Sequence, residues 1–402
     1  MCKVSRKALG RRLVPLFCIC GALLAVAGCG SSSNSPSGTA TSNAGSNGSG
    51  GGSTSPVIIG IATPYSGSSG SYGQYNDEVF KLALQQYGAK VGNRPIQFVK
   101  GDTQCTPSVA VQAIHQVLAK QPAVVMASGC SGDTLAMKPL LTAHHIPAVS
   151  INLAPGIVTG DPYMWDVAPT MQQINAPFAK YIQSQTHATS VAILHDTTAY
   201  GEACDKGMVD GLKAIGVKVG VDASYSFDDT DFSGQILSAK KAGVQAVYIE
   251  GYSEQLGEVV KQARSLGLNV PIYAPQDADD SAAFKAGGDA LNGVVFAEGY
   301  VQNSSPASQK FTSQWKAAFP KLEPGANIEN FYEAAVVLVK ALHQVGPDNI
   351  NAGAIKKAIA GLKLEVPSGT LQFAATGERL NPPVYIGKVN NNAVSEIKQL
   401  AQ

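Results

Sequence analysis

Val57-Ile58-Ile59-Gly60-Ile61-Ala62 is an unbroken apolar run of strand length, and it reads as a strand buried on both faces. Residues 76–87 follow with Val79, Phe80, Leu82, Ala83 and Leu84 in a helical pattern. Ile96-Gln97-Phe98-Val99 is a second strand, residues 109–118 a second helix, and Ala123-Val124-Val125-Met126 a third strand. Continuous apolar strands separated by helices predict a parallel sheet covered on both faces.

The same grammar then restarts. Val191-Ala192-Ile193-Leu194 precedes a helical pattern at 204–215, a strand at 217–221 and a helix at 232–242. Ala246-Val247-Tyr248-Ile249 and a helix at 253–266 follow, and Val270-Pro271-Ile272-Tyr273 echoes Ile146-Pro147-Ala148-Val149 of the first half. The fold class is therefore α/β, with two doubly wound parallel-sheet lobes and a ligand cleft between them. Residues 57–402 make 346 positions, too many for one typical core and enough for two domains. The expected division is 57–172 plus about 300–375 for the first lobe, and 173–299 plus about 376–402 for the second. The segment from about 294 onward supplies further strands and a long helix at 329–345, shared between the lobes.

In open parallel sheets, ligands bind beyond the carboxyl ends of the strands. Six stretches stand there: 63–67, 128–132, 150–152, 196–201, 251–253 and 275–277, all polar or small. Two facing lobes would bring these loops to one cleft.

Upstream, Lys3, Arg6, Lys7, Arg11 and Arg12 precede an apolar run at 13–27, with no acidic residue before Asp77. That is the pattern of a secretory leader. Its 15 apolar positions, with Pro15 among them, fall short of the roughly 20 that span a bilayer. Val26-Ala27-Gly28-Cys29 resembles a bacterial lipobox, which implies removal of 1–28 and acylation of Cys29. The 27 residues from Gly30 to Pro56 are almost all Gly, Ser, Asn, Thr, Ala and Pro, too polar to build a core. As a flexible coil they reach roughly 30 Å, so 29–56 reads as a lipidated Cys and its tether. Of 30 Lys and Arg, five lie in the leader, which leaves 25 against 29 acidic residues, a net charge of −4. This argues against nucleic acid as the partner, which would call for a basic patch or stripe. Cys105, Cys130 and Cys204 remain after the leader and Cys29 are set aside, an odd number in a disulfide-permissive compartment. One pair and one spare thiol are expected.

The ordered series Tyr65-Ser66-Gly67, Tyr72-Gly73, Gly101-Asp102 with Cys105, Gly129-Cys130-Ser131 and Ile146-Pro147-Ala148-Val149-Ser150 has a match. It continues through Ala199-Tyr200-Gly201, Gly251-Tyr252 and Gln262-Ala263-Arg264 with Gly267. Over essentially all of 57–402 the chain resembles the type I periplasmic solute-binding proteins, in the leucine/isoleucine/valine-binding branch that serves ABC importers. The resemblance implies a monomeric, extracytoplasmic lipoprotein with no cofactor. Such a protein takes up a small amino-acid-like or related polar solute by lobe closure and delivers it to ABC permease subunits. It implies a disulfide between Cys105 and Cys130. Ser131 is implied to hold the ligand carboxylate at the start of a helix, where backbone N–H groups make an anion site; a plain N-cap is the bland reading. Asn152 and Ala154 match positions that touch the ligand through a backbone carbonyl and a threonine hydroxyl. Tyr200 and Tyr252 match aromatic cleft residues, and Tyr72 a pocket aromatic or a packing residue.

Two departures bear on the solute. Ala154 stands where the family has threonine, and Gln276 where it has the glutamate that pairs the ligand ammonium. A neutral amide cannot supply that charge-assisted bond; Asp277 can if the loop is shifted by one, and otherwise the site suits an amide, urea or aromatic carboxylate. A ligand-sensing module for a membrane receptor shares the same fold and site. Nothing points to an enzyme. His195-Asp196 lacks a Gly-x-Ser-x-Gly elbow, His144-His145 lacks metal-site spacing, and the glycines of 45–52 are linker.

Overall fold

The apolar runs become the inner strands of two sheets. The computed structural model describes residues 53–67, 69–322 and 327–400. The expected leader, Cys29 and the tether up to residue 52 lie outside the described residues.

In chain order come β1 (Val57–Thr63), α1 (Ser71–Tyr87), β2 (Lys90–Val91), β3 (Arg94–Asp102) and α2 (Pro107–Leu118). Next are β4 (Val124–Met126), α3 (Ser131–Ala143), β5 (Ala148–Ser150) and β6 (Met164–Asp166). Their six-stranded sheet runs β2-β3-β1-β4-β5-β6, parallel except at β2. Gly60 allows α2 to lie close on β1, since a Cβ there would stand 2.5 Å from Val117.

The chain then builds α4 (Met171–Thr186), β7 (Ser190–Asp196), α5 (Ala199–Ala214), β8 (Lys218–Tyr225) and α6 (Ser233–Ala242). It continues with β9 (Ala246–Ile249), α7 (Ser253–Ser265), β10 (Ile272–Ala274), α8 (Ser281–Gly287) and β11 (Val295–Glu298). It returns to the first sheet for α9 (Pro306–Ala318), α10 (Ile328–Val345), α11 (Ala352–Ala360) and the hairpin β12 (Lys363–Val366) and β13 (Gly369–Gln372). It ends with β14 (Tyr385–Asn390) and β15 (Ala393–Gln399). The second sheet has seven strands in the order β15-β14-β11-β10-β9-β7-β8, with β14 and β15 antiparallel at one edge.

The segment after residue 294 is thus divided. β11, β14 and β15 join the second sheet, whereas α10 packs in the core of the first, buried on nearly every side from Ile328 to Leu342. A helix buried all round is a core helix, and the acids it carries inward at Glu329 and Glu333 need partners there. Its own Phe331 and the surrounding Phe80, Phe311 and Trp315 are fully buried, each stabilising the fold by roughly 1.5–3 kcal/mol.

Three segments pass between the sheets, at 167–170, 299–305 and 373–384. They touch one another. A Cβ on Gly299 would lie 2.8 Å from Pro169, and the Asp166 N–H donates to the Gly377 carbonyl at 3.0 Å. Here Arg379 reaches Glu333 of α10 at 2.9 Å, with both side chains buried, and donates to the Val167 carbonyl at 3.1 Å. The Ser368 N–H takes the other Glu333 oxygen at 2.9 Å. The crossings are thereby fixed to the first lobe by a pair that is neutral overall.

Candidate functional site

A narrow cavity lies where the carboxyl ends of the two sheets meet. The first side supplies Tyr72 from α1, Gly129 and Ser131 at the start of α3, Ile151 and Leu153 beyond β5, Asn327 just before α10, and Phe331 of α10. The second supplies Tyr200 in the first turn of α5, Tyr252 before α7, and Gln276 and Asp277 beyond β10. The space open to the centre of a water molecule is only about 10 Å³, room for about one water. An amino acid enters only if the lobes or side chains part.

Local sequence explains how these groups come so close. A Cβ on Gly129 would stand 2.8 Å from the Tyr72 ring and 3.1 Å from Phe331, whose rings meet edge-on at 5.3 Å. Gly201 lets the first turn of α5 sit on the end of β7, since a Cβ would fall 2.2 Å from the Asp196 carboxylate. This seats Tyr200 against Tyr252 with ring centres 5.0 Å apart, and Phe227 closes on Tyr252 from outside at 5.3 Å.

Asp277 dominates the electrostatics. It is 1% exposed and its backbone is left-handed, with φ of 75°. Tyr200 Oη donates to Oδ2, and Ser253 Oγ and Asn327 Nδ2 donate to Oδ1, each at 3.3 Å, beyond the usual 2.7–3.2 Å range. All three donors are neutral. Burial, then the charges of Asp280 and Asp279, push the Asp277 carboxyl up to about 8. Glu298 and Glu329 are pushed up as well, by burial and by their acidic neighbours.

The first wall is better satisfied. Asp166, pushed up to about 7 chiefly by burial, accepts from Ser150 Oγ at 2.8 Å and from the N–H groups of Asn152 and Ala168 at 3.1 and 3.0 Å. This fixes the loop that presents Ile151 and Leu153. Cys105 and Cys130 are bonded to each other with Cα atoms 5.6 Å apart, tying the loop before α3 to the end of β3. Cys204 is free and buried, and burial pushes its thiol well up, so it stays protonated and unreactive at neutral pH.

Tyr72, Ser131, Tyr200, Tyr252, Gln276 and Asp277 therefore stand around one space. Asn152 and Ala154 do not line it: Asn152 is buried beside it with both amide atoms unpaired by the described residues, and Ala154 sits in the apolar cluster of Met171 and Ile174. Of the six strand-end stretches, 63–67 contributes no lining residue to this cavity. Tyr65 and Ser66 are tied instead to Asp102 through their N–H groups at 2.8 and 3.3 Å. Asn327 and Phe331 were not visible as site residues from the sequence, because they lie ahead of and within a core helix far along the chain. Beyond Tyr72 and Tyr252 the cleft opens into a mouth lined by Asp228, Asp229, Glu254, Glu258 and Asp280, with no Lys or Arg among its lining residues.

The periplasmic binding protein family pattern matches residues 56–393. A leucine-, isoleucine-, valine-, threonine- and alanine-binding protein of Pseudomonas aeruginosa is 24% identical over 330 residues, covering 81% of this chain and 87% of that protein. A leucine-binding protein from Thermotoga maritima superposes with a TM-score of 0.78 at 22% identity, covering 86% of this chain and 98% of the other. A solute-binding protein of an ABC transporter from R. palustris, in complex with benzoate, gives 0.78 at 20% identity, covering 86% and 96%.

Proposed function

The chain belongs to the periplasmic binding protein family, and on that premise we propose that it captures a small zwitterion of amino-acid type between its lobes for an ABC permease. The observation that carries this reading is Asp277. Among the described residues this buried carboxylate has long, neutral donors and no cation, and a ligand ammonium would supply one. The opposite wall offers Ser131 and the first N–H groups of α3, which suit a carboxylate. Tyr72, Tyr200, Tyr252 and Phe331 leave an apolar side chain between them. On this reading the ammonium partner has moved from position 276 to 277, and Gln276 adds a neutral hydrogen bond.

Closure is a population shift, driven by contacts made only when both walls touch the ligand. We take the lobes to be 57–172 plus about 300–375, and 173–299 plus about 376–402, pivoting at the three crossings. Lipidated Cys29 and the tether to residue 56 would hold the monomer at the outer face of the cytoplasmic membrane, where the Cys105–Cys130 bond adds about 3–4 kcal/mol.

A second reading rests on the four rings: an aromatic carboxylate, as in the benzoate-bound neighbour. The acidic mouth and Asp277 oppose an anion. Titration calorimetry with amino acids and benzoates between pH 6 and 8 separates the two. A zwitterion that requires ionised Asp277 should release a proton on binding, so its affinity should rise up to tenfold per pH unit as pH rises toward about 8. Asp277→Asn should lose both the affinity and the pH dependence. Tight, pH-independent binding of a benzoate, with no binding of amino acids, would replace this reading by the second.

A further inference from the structure

We propose that His195, Asp205 and Asp222 form a second site, away from the ligand cavity, for a zinc-type divalent cation. The three side chains come from β7, α5 and β8, and the fold brings them together by a specific device. The β7–β8 pairing runs Val191 opposite Val219, then Ala192 opposite Val221, so Gly220 is an extra residue in β8. Bulges of this kind re-aim side chains. Without it Asp222 would pair with Leu194 and point to the other face of the sheet. With it Asp222 pairs with Ile193 and shares the face of His195. Gly220 is closely packed: a Cβ there would lie 2.3 Å from Ser190 Oγ and 3.0 Å from Val244, and both would have to shift.

The imidazole is set for coordination. His195 is 5% exposed, and its Nδ1 lies 2.7 Å from the Asp196 carbonyl oxygen. A carbonyl can only accept, so Nδ1 carries a hydrogen, and Nε2 is the nitrogen left to bind a metal. Metal-bound histidines are fixed by this kind of outer bond. Nε2 faces Asp222 Oδ1 at 3.4 Å, too long for a charge-assisted hydrogen bond of about 2.7–2.9 Å. It is the separation of two ligands that each stand about 2.1 Å from a tetrahedral zinc, which is about 3.4 Å.

Asp205 adds the third ligand atom, and the three atoms lie within 4.8 Å of one another. Its Oδ1 is buried and unpaired by any described residue, which by itself leaves an unmet polar group. Glu202 and Asp210 add negative charge nearby, and the Lys206 ammonium is engaged with Asp210 at 2.6 Å. One nitrogen and two carboxylate ligands suit zinc or cobalt(II). The Asp222 side chain is 48% exposed, which leaves an entry path and a fourth position for water.

Chelator-stripped protein, titrated with Zn²⁺ by calorimetry and with Co²⁺ by visible absorption, tests this. The expected result is one equivalent bound, with the intense visible bands of tetrahedral Co²⁺. Asp222→Asn, at an exposed position, should weaken binding by about tenfold or more. Asp205→Asn should do the same, with unchanged circular dichroism in both variants. His144→Gln should leave binding unaltered. Failure of either metal to bind, or equal affinity in the parent and both carboxamide variants, would overturn the site.

Discussion

Glu333 lies on α10 with the Arg379 guanidinium 2.9 Å away, whereas Asp277 lies in the cavity with three neutral donors at 3.3 Å. Both carboxylates are buried, and burial pushes both upward. At Glu333 the arginine and the Ser368 hydrogen bonds oppose that push; at Asp277 the neighbouring Asp280 and Asp279 reinforce it. The first arrangement is complete within the chain and fixes the crossings between the lobes. The second has no cation among the described residues, and it faces the cavity. Buried charge in this molecule is thus neutralised where the fold must be fixed, and left open where, on the proposed reading, binding must drive closure.

The contrast can be broken most severely at the crossings. Arg379→Met leaves Glu333 buried and unpaired, and urea unfolding at pH 7 should show a loss of about 3–5 kcal/mol. Replacing both partners by apolar residues should recover most of it. A single-variant loss below about 1 kcal/mol would mean that the pair is no more structural than Asp277.

At Asp277 the sign reverses. Its carboxyl moves from an ordinary 3.8 to about 8 on folding, so between these values the folded protein holds a proton that the unfolded chain releases. The group's contribution is intact below about pH 4 and is lost as pH rises to about 8. Ligand-free Asp277→Asn should therefore match the parent at pH 4 and exceed it by as much as about 5 kcal/mol at pH 8. Equal stability of the two proteins across that range would show that the carboxylate is already satisfied.

The smallest effect is expected at the wall that needs no charge. Gly129→Ala pushes a methyl group against Tyr72 and Phe331. Both rings border the cavity and can yield, so thermal unfolding should register a loss of only about 1 kcal/mol. Ligand affinity should fall about tenfold. Unchanged affinity would move the ligand away from this wall.

Much of the fold was readable because it rests on local patterns. The apolar runs at 57–62, 123–126, 191–194 and 246–249 became β1, β4, β7 and β9, since a strand buried on both faces must be apolar throughout. Helix starts were less legible. The first turns of α1 and α5 are polar or aromatic, so periodicity alone began these helices at 76 and 204 instead of Ser71 and Ala199. Those missed turns hold Tyr72 and Tyr200, both cavity residues.

By itself the sequence determined the alternating α/β order, the strand-end stretches that carry most of the cavity, and the residue types available there. These depend on burial and spacing, which neighbouring residues record. Only the tertiary structure decided that the acid at 277 turns inward, that Asn327 and Phe331 close the cavity from a distant helix, and that Ala154 packs away from it. It also decided that a one-residue bulge sets Asp222 beside His195. These outcomes depend on left-handed backbone, strand register and contacts between residues more than a hundred positions apart, and no local pattern encodes such pairings.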